Sequence, residues 1–121
     1  MARILIVDDE IALLKLLETY LLRQGHTVVS CATATEGLVA MDGGVALFDV
    51  AVLDHWLPDM SGIDLIRGVI ERQPSIRILV SSGSLMDIEG LGLPGGIHAT
   101  FLQKPYVPKM LAETIGMLLR N

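Results

Sequence analysis

Polar and apolar positions alternate along this chain on two length scales. Five short apolar runs, at residues 4–7, 27–31, 50–53, 76–80 and 99–102, recur at fairly even intervals, each the length of a β-strand. The first, third and fourth are almost unbroken Val, Ile and Leu, the composition of parallel strands covered on both faces. The second and fifth carry Thr27, Ser30, Thr100 and Gln103, which predicts edge positions. Between the runs the apolar period lengthens. Ile11, Leu14, Leu17 and Leu21 predict the inner face of a helix over 11–24, with Gly25 at its stop. Thr33 with Glu36, and Ser61 with Asp64, have the spacing of helix-starting capping boxes, and Gln73-Pro74 marks where the latter helix must end. Pro108 suits a first turn, after which Met110, Leu111, Thr114, Ile115, Leu118 and Leu119 predict a last amphipathic helix.

One stretch resists assignment. In 85–98, Gly90, Gly92, Pro94, Gly95 and Gly96 interrupt any period, and each interior glycine costs a helix about 1 kcal/mol, so a fourth helix there is expected to be short or irregular. Strands alternating with helices predict right-handed crossovers and a doubly wound parallel α/β sheet.

With 121 residues the chain is the size of one domain, and size scaling gives a folded surface of about 6,400 Å², roughly a third of the extended chain's. Hydrophobic residues at 51% against 19% charged exclude disorder as the main state. The net charge of −5, with basic residues scattered singly, argues against direct nucleic-acid binding. A lone cysteine, Cys31, can form neither an intramolecular disulfide nor a Cys-rich zinc site, and fits a reducing cytoplasm. Residues 4–7, followed at once by acids, make neither a signal peptide nor a membrane span.

Ligands of an open α/β sheet bind beyond the carboxyl ends of its strands. Here those ends carry Asp8-Asp9, Asp54, Ser81-Ser82 and Lys104-Pro105, so four strands deliver polar groups to one rim. Converging carboxylates repel each other unless a hard divalent cation relieves them, and Mg²⁺ is the natural candidate. A carboxylate is also a competent nucleophile towards phosphorus, with a metal and a lysine to neutralise the transferring group. His26 and His98 fall in predicted turns without a ligand set, His55 is expected to face away from Asp54 at the surface, and Cys31 to close a strand.

The segments ILIVDDE at 4–10, FDVAVLD at 48–54, LPDMSG at 57–62, ILVSSG at 78–83 and FLQKPY at 101–106, in that order and spacing, resemble the receiver domain of bacterial two-component response regulators over nearly the whole chain. The resemblance implies a flavodoxin-like five-stranded sheet of order 2-1-3-4-5 with helices on both faces. It implies that Asp54 accepts a phosphoryl group from a sensor histidine kinase or phosphotransfer protein. Asp8, Asp9, Asp54 and the backbone carbonyl of Trp56 would hold Mg²⁺, with Mn²⁺ as a substitute. Lys104 would pair with the phosphoryl oxygens, Ser82 rather than Ser81 would supply the switch hydroxyl, and Phe101 would be the coupled aromatic. Trp56 and Ser84 depart from the family pattern at the positions that tune water access, and the Trp56 indole is expected to slow hydrolysis. Such a protein is a cytoplasmic switch rather than an enzyme, with at most slow self-phosphorylation and self-dephosphorylation.

Residues 1–121 then read as a single receiver domain without an effector domain, either whole or cut from a longer protein. Its output would pass through contact with a downstream protein, and a homodimer is compatible with it. Two other readings compete. A degenerate receiver acting as a non-phosphorylated docking module conflicts with intact Asp9, Asp54 and Lys104, and a flavin-binding protein would need a phosphate-cradling loop where this chain has acids.

Overall fold

The computed structural model describes residues 1–44, 46–85 and 87–120, apart from the side chain at 89. Strands β1 (Arg3–Val7), β2 (Thr27–Cys31), β3 (Val50–Asp54), β4 (Arg77–Ser82) and β5 (Ala99–Gln103) form one parallel sheet of order β2-β1-β3-β4-β5. The helices are α1 (Ile11–Arg23), α2 (Ala34–Asp42), α3 (Gly62–Arg72) and α4 (Pro108–Leu119). This is the flavodoxin-like, doubly wound architecture, and the two strands with polar residues lie at its edges as expected.

Local chemistry sets the helix ends. The Thr33 hydroxyl accepts the Glu36 N–H at 3.1 Å, and the Ser61 hydroxyl accepts the Asp64 N–H at 3.2 Å, each satisfying a donor that the first turn leaves open. Beyond α1, Gly25 takes φ +92°, a left-handed conformation that favours glycine.

The two-residue alternation of the strands then separates two cores. Leu5, Val7, Ala51, Leu53, Ile78 and Val80 pack with Leu65, Ile66 and Val69 of α3 on one face. Ile4, Ile6, Val50, Val52 and Leu79 pack with Leu14, Leu17 and Leu21 of α1 and Leu111, Ile115 and Leu118 of α4 on the other. Burying a side chain of this size contributes about 1.5–3 kcal/mol, so the central strands and their flanking helices carry most of the stability. The accessible surface, 6306 Å², is close to the value expected for this length. No helix among the described residues is long and apolar enough to cross a membrane.

The sequence pattern misleads at the start of α1 and holds for the irregular 85–98 stretch. Ile11, assigned to the inner face of α1, is 50% exposed, because the helix begins there and its first turn stands above the sheet's rim. The 85–98 stretch forms no α-helix among its described residues, only a 3-10 turn at Glu89–Leu91; Met86 lies outside the described residues. Its apolar residues are still used, since Ile88, Leu91, Leu93 and Ile97 pack on the α3-side core.

Candidate functional site at the carboxyl ends of the strands

Asp54 is the last residue of β3 and pairs in register with Ser81 of β4. One strand over, Val7 pairs with Leu53, so the residue after it, Asp8, stands beside Asp54. Asp8 and Asp54 are nearly buried, at 2% and 5% exposure, whereas Asp9 faces solvent. Carboxylate oxygens of Asp8, Asp9 and Asp54 all lie within 4.8 Å of one another. Lys104 follows β5, and its backbone N–H holds the Ser82 carbonyl at 2.8 Å. Its ammonium reaches Asp8 Oδ2 at 3.0 Å, Glu10 Oε1 at 2.8 Å and Asp54 Oδ2 at 3.5 Å. Asp9, Glu10, Asp54 and Lys104 border a cleft of about 530 Å³ whose walls include Trp56 and Tyr106.

The electrostatics follow from that crowding. Burial, and then the charge of Asp8, push the Asp54 carboxyl up to about 6; Lys104 and the Trp56 N–H, which donates to Asp54 Oδ1 at 3.2 Å, pull the other way, and Asp9 adds to the rise. Burial disfavours the Lys104 ammonium, but its bonds to Glu10 and Asp8 and the charges of Asp8 and Asp54 outweigh burial and hold it well above the ordinary lysine value. One cation therefore faces a surplus of carboxylate oxygen, a hard donor set suited to a divalent cation. The raised Asp54 value records burial first and then repulsion from Asp8, the part that such an ion would relieve.

The remaining expected residues fall in distinct places. Ser82 is fully buried at the end of β4, and its hydroxyl accepts the N–H of Ser84, itself exposed. Phe101 is half-buried in the middle of β5, opposite Val80. Trp56 is 65% exposed and forms a bridge with Ser61 that folds the β3–α3 loop back on itself. Because of that fold-back His55 is not a surface residue as expected. It is half-buried, meets Trp56 edge-on at 4.7 Å, and leaves no room for a Cβ at Gly62. Cys31 closes β2, buried as expected.

Three residues stand out that sequence reasoning did not assign. Glu10, just ahead of α1, makes no side-chain cap and directs its carboxylate to Lys104. Asp59 accepts hydrogen bonds from the Ala34 and Thr35 N–H groups and the Thr35 hydroxyl, at 3.1, 3.0 and 2.9 Å, tying the β3–α3 loop to the start of α2. Tyr106 brings its phenol beneath the acidic cluster.

The family model for the response regulator receiver domain matches residues 4–116. The chain belongs to that family. The two-component response regulator PhoP of Pseudomonas aeruginosa is 36% identical over 122 residues, covering 98% of this chain and 52% of PhoP. The sensor kinase CckA of Brucella abortus is 32% identical over 120 residues, covering 99% of this chain and 13% of the kinase. The chain thus spans about half or less of the length of these curated relatives. A CheY-like receiver domain from Methanospirillum hungatei superimposes with a TM-score of 0.85 at 33% identity, covering 99% of this chain and 94% of that one. Receiver domains are signalling switches rather than enzymes in the ordinary sense, and the same domain type here occurs in both response regulators and a kinase.

Proposed function

We propose that this receiver domain is a phosphoacceptor switch, in which an Asp54 carboxylate oxygen attacks the phosphorus of a phosphohistidine on a sensor kinase or phosphotransfer protein. The P–N bond breaks, the histidine, already protonated on its other ring nitrogen, leaves as neutral imidazole with the bonding pair, and Asp54 becomes an acyl phosphate. The observation that carries this reading is the convergence of Asp8, Asp9, Asp54 and Lys104 at one rim of the sheet. Asp8, Asp9, Asp54 and the Trp56 carbonyl would hold Mg²⁺, or Mn²⁺ in its place, and the ion would neutralise charge on the transferring group. Before transfer Asp54 must be ionised, which repulsion from Asp8 opposes and the Lys104 ammonium favours. During transfer Lys104 exchanges its Asp54 contact for a phosphoryl oxygen while Glu10 and Asp8 keep its charge in place. Afterwards the Ser82 hydroxyl leaves the Ser84 N–H to donate to the phosphoryl group, drawing its loop inward and opening space for Phe101 to turn. Trp56 and Ser84, at the cleft mouth and on the switch loop, limit the access of water to the acyl phosphate. Output then passes by protein contact in the cytoplasm, to a downstream protein that the altered surface recognises.

The test is the intact mass after incubation with Mg²⁺ and acetyl phosphate. A gain of one phosphoryl group that requires metal and is absent from Asp54→Asn is expected. No gain under these conditions would favour a docking module that is not phosphorylated.

A further inference from the structure

The polar row at the strand ends has a member with no part in the chemistry above. Ser81 pairs with Asp54 across β3 and β4, and by strand alternation it faces the same side of the sheet, towards α1 and α4. It is 1% exposed, and its hydroxyl completes no hydrogen bond. Tyr106, two residues beyond Lys104, packs on the α1–α4 core, and its phenol oxygen is likewise sealed from solvent with no completed hydrogen bond. The serine hydroxyl lies near enough to act on the phenol, although neither reaches ordinary bonding geometry. Burial, then the charge of Asp8, push the phenol up to about 12, so it stays a neutral donor at physiological pH.

Buried hydroxyls are paired in folded proteins, directly or through a seated water, because leaving them unmade is costly. Their position decides what pairing accomplishes here. Before Lys104 the chain is fixed by its own N–H on the Ser82 carbonyl, but Pro105 has no N–H to give, and the next polar side chain able to anchor the turn is Tyr106. We propose that Ser81 and Tyr106 form one buried hydroxyl couple that pins the 104–106 turn to β4 and so positions the Lys104 ammonium over Asp54. The ring supplies packing; the hydroxyl supplies placement. Tyr106 and Ser81 are positioning residues acting through Lys104, and their consequence for phosphoryl transfer rests on the phosphoacceptor reading of Asp54.

The chain has three lysines, Lys15, Lys104 and Lys109, of which the first and last are exposed. Competitive labelling with acetic anhydride, read by peptide mass spectrometry, reports how free each amine is without metal or phosphodonor. Lys104 should label much more slowly than the other two. In Tyr106→Phe and in Ser81→Ala its rate should rise about fivefold, the population change that losing one hydrogen bond produces, with Lys15 and Lys109 unchanged. The double variant should match either single one, as expected of a couple acting as a unit. Lys104 labelling unchanged in both single variants, or additive in the double, overturns the proposal. Thermal melting verifies the fold of each variant, and Ser81→Ala carries the test should Tyr106→Phe not fold. Phosphoryl gain measured alongside should slow with the loosening of Lys104. If the unaltered chain takes up no phosphoryl group, the reading of Asp54 fails while the labelling still decides on the couple.

Discussion

Asp54 is held in two conflicting environments, a nearly dry strand end and a crowd of like charges, with one lysine to offset them. In the metal-free protein its pKa is near 6, above the 3.8 of an unperturbed aspartate. A carboxyl whose folded pKa is raised binds its proton more tightly when folded, so its contribution to stability is full below 3.8 and is lost as pH rises through about 6. A shift of this size corresponds to on the order of 3 kcal/mol. Asp54→Asn, which cannot ionise, should therefore be more stable than the native chain at pH 7 in EDTA, and the advantage should shrink towards pH 4. Denaturant melts at the two pH values measure it; an advantage that does not change with pH would mean that titration of Asp54 is not its source. Lys104→Ala isolates the counter-charge. It leaves Asp8, Glu10 and Asp54 without their shared ammonium, so divalent-cation affinity, followed by Trp56 fluorescence, should rise roughly tenfold as expected for removing a like charge at short range. Phosphoryl transfer should slow in the same variant, because in the proposed reaction Lys104 meets the phosphoryl oxygens.

At the scale of elements, the β3–α3 loop is braced from both sides, by the Trp56–Ser61 bridge and by Asp59 on the N-terminus of α2. Hydrogen bonds from the Thr35 N–H, then the Thr35 hydroxyl, hold the Asp59 carboxyl below its ordinary value. A depressed carboxylate stabilises the fold above its unfolded pKa and loses that contribution as pH falls through the folded one. Asp59→Ala should thus melt at a lower temperature than the native chain at pH 7, and the two melting curves should converge in acid; curves that stay equally far apart would contradict the link. Elements that obey a single local rule were readable in advance. The three central strands announced themselves by almost unbroken Val, Ile and Leu, and α2 and α3 by Thr33 and Ser61 at their caps. Ile11 was misplaced because periodicity says which face a residue occupies but not where the sheet beneath it ends. The 85–98 stretch yielded only its irregularity, since glycine weakens every regular pattern without specifying another.

At the scale of the whole molecule, two cores hold four strand ends at one rim, so that residues as distant in sequence as Asp9, Asp54 and Lys104 meet across one cleft. The acids and Lys104 were legible as a set because each follows an apolar run and parallel strands deliver their ends to a common rim. Glu10 and Asp59 were not, because their partners, Lys104 and Thr35, are fixed by how loops cross the rim rather than by any spacing along the chain. Phosphoryl transfer to Asp54 is the claim on which the switch depends. Borohydride reduction converts an acyl phosphate on aspartate to homoserine, which peptide mapping then places. After incubation with acetyl phosphate, homoserine at position 54 alone, and only when Mg²⁺ was present, is the expected result; homoserine at 8, 9 or 59, or none at all, would contradict it.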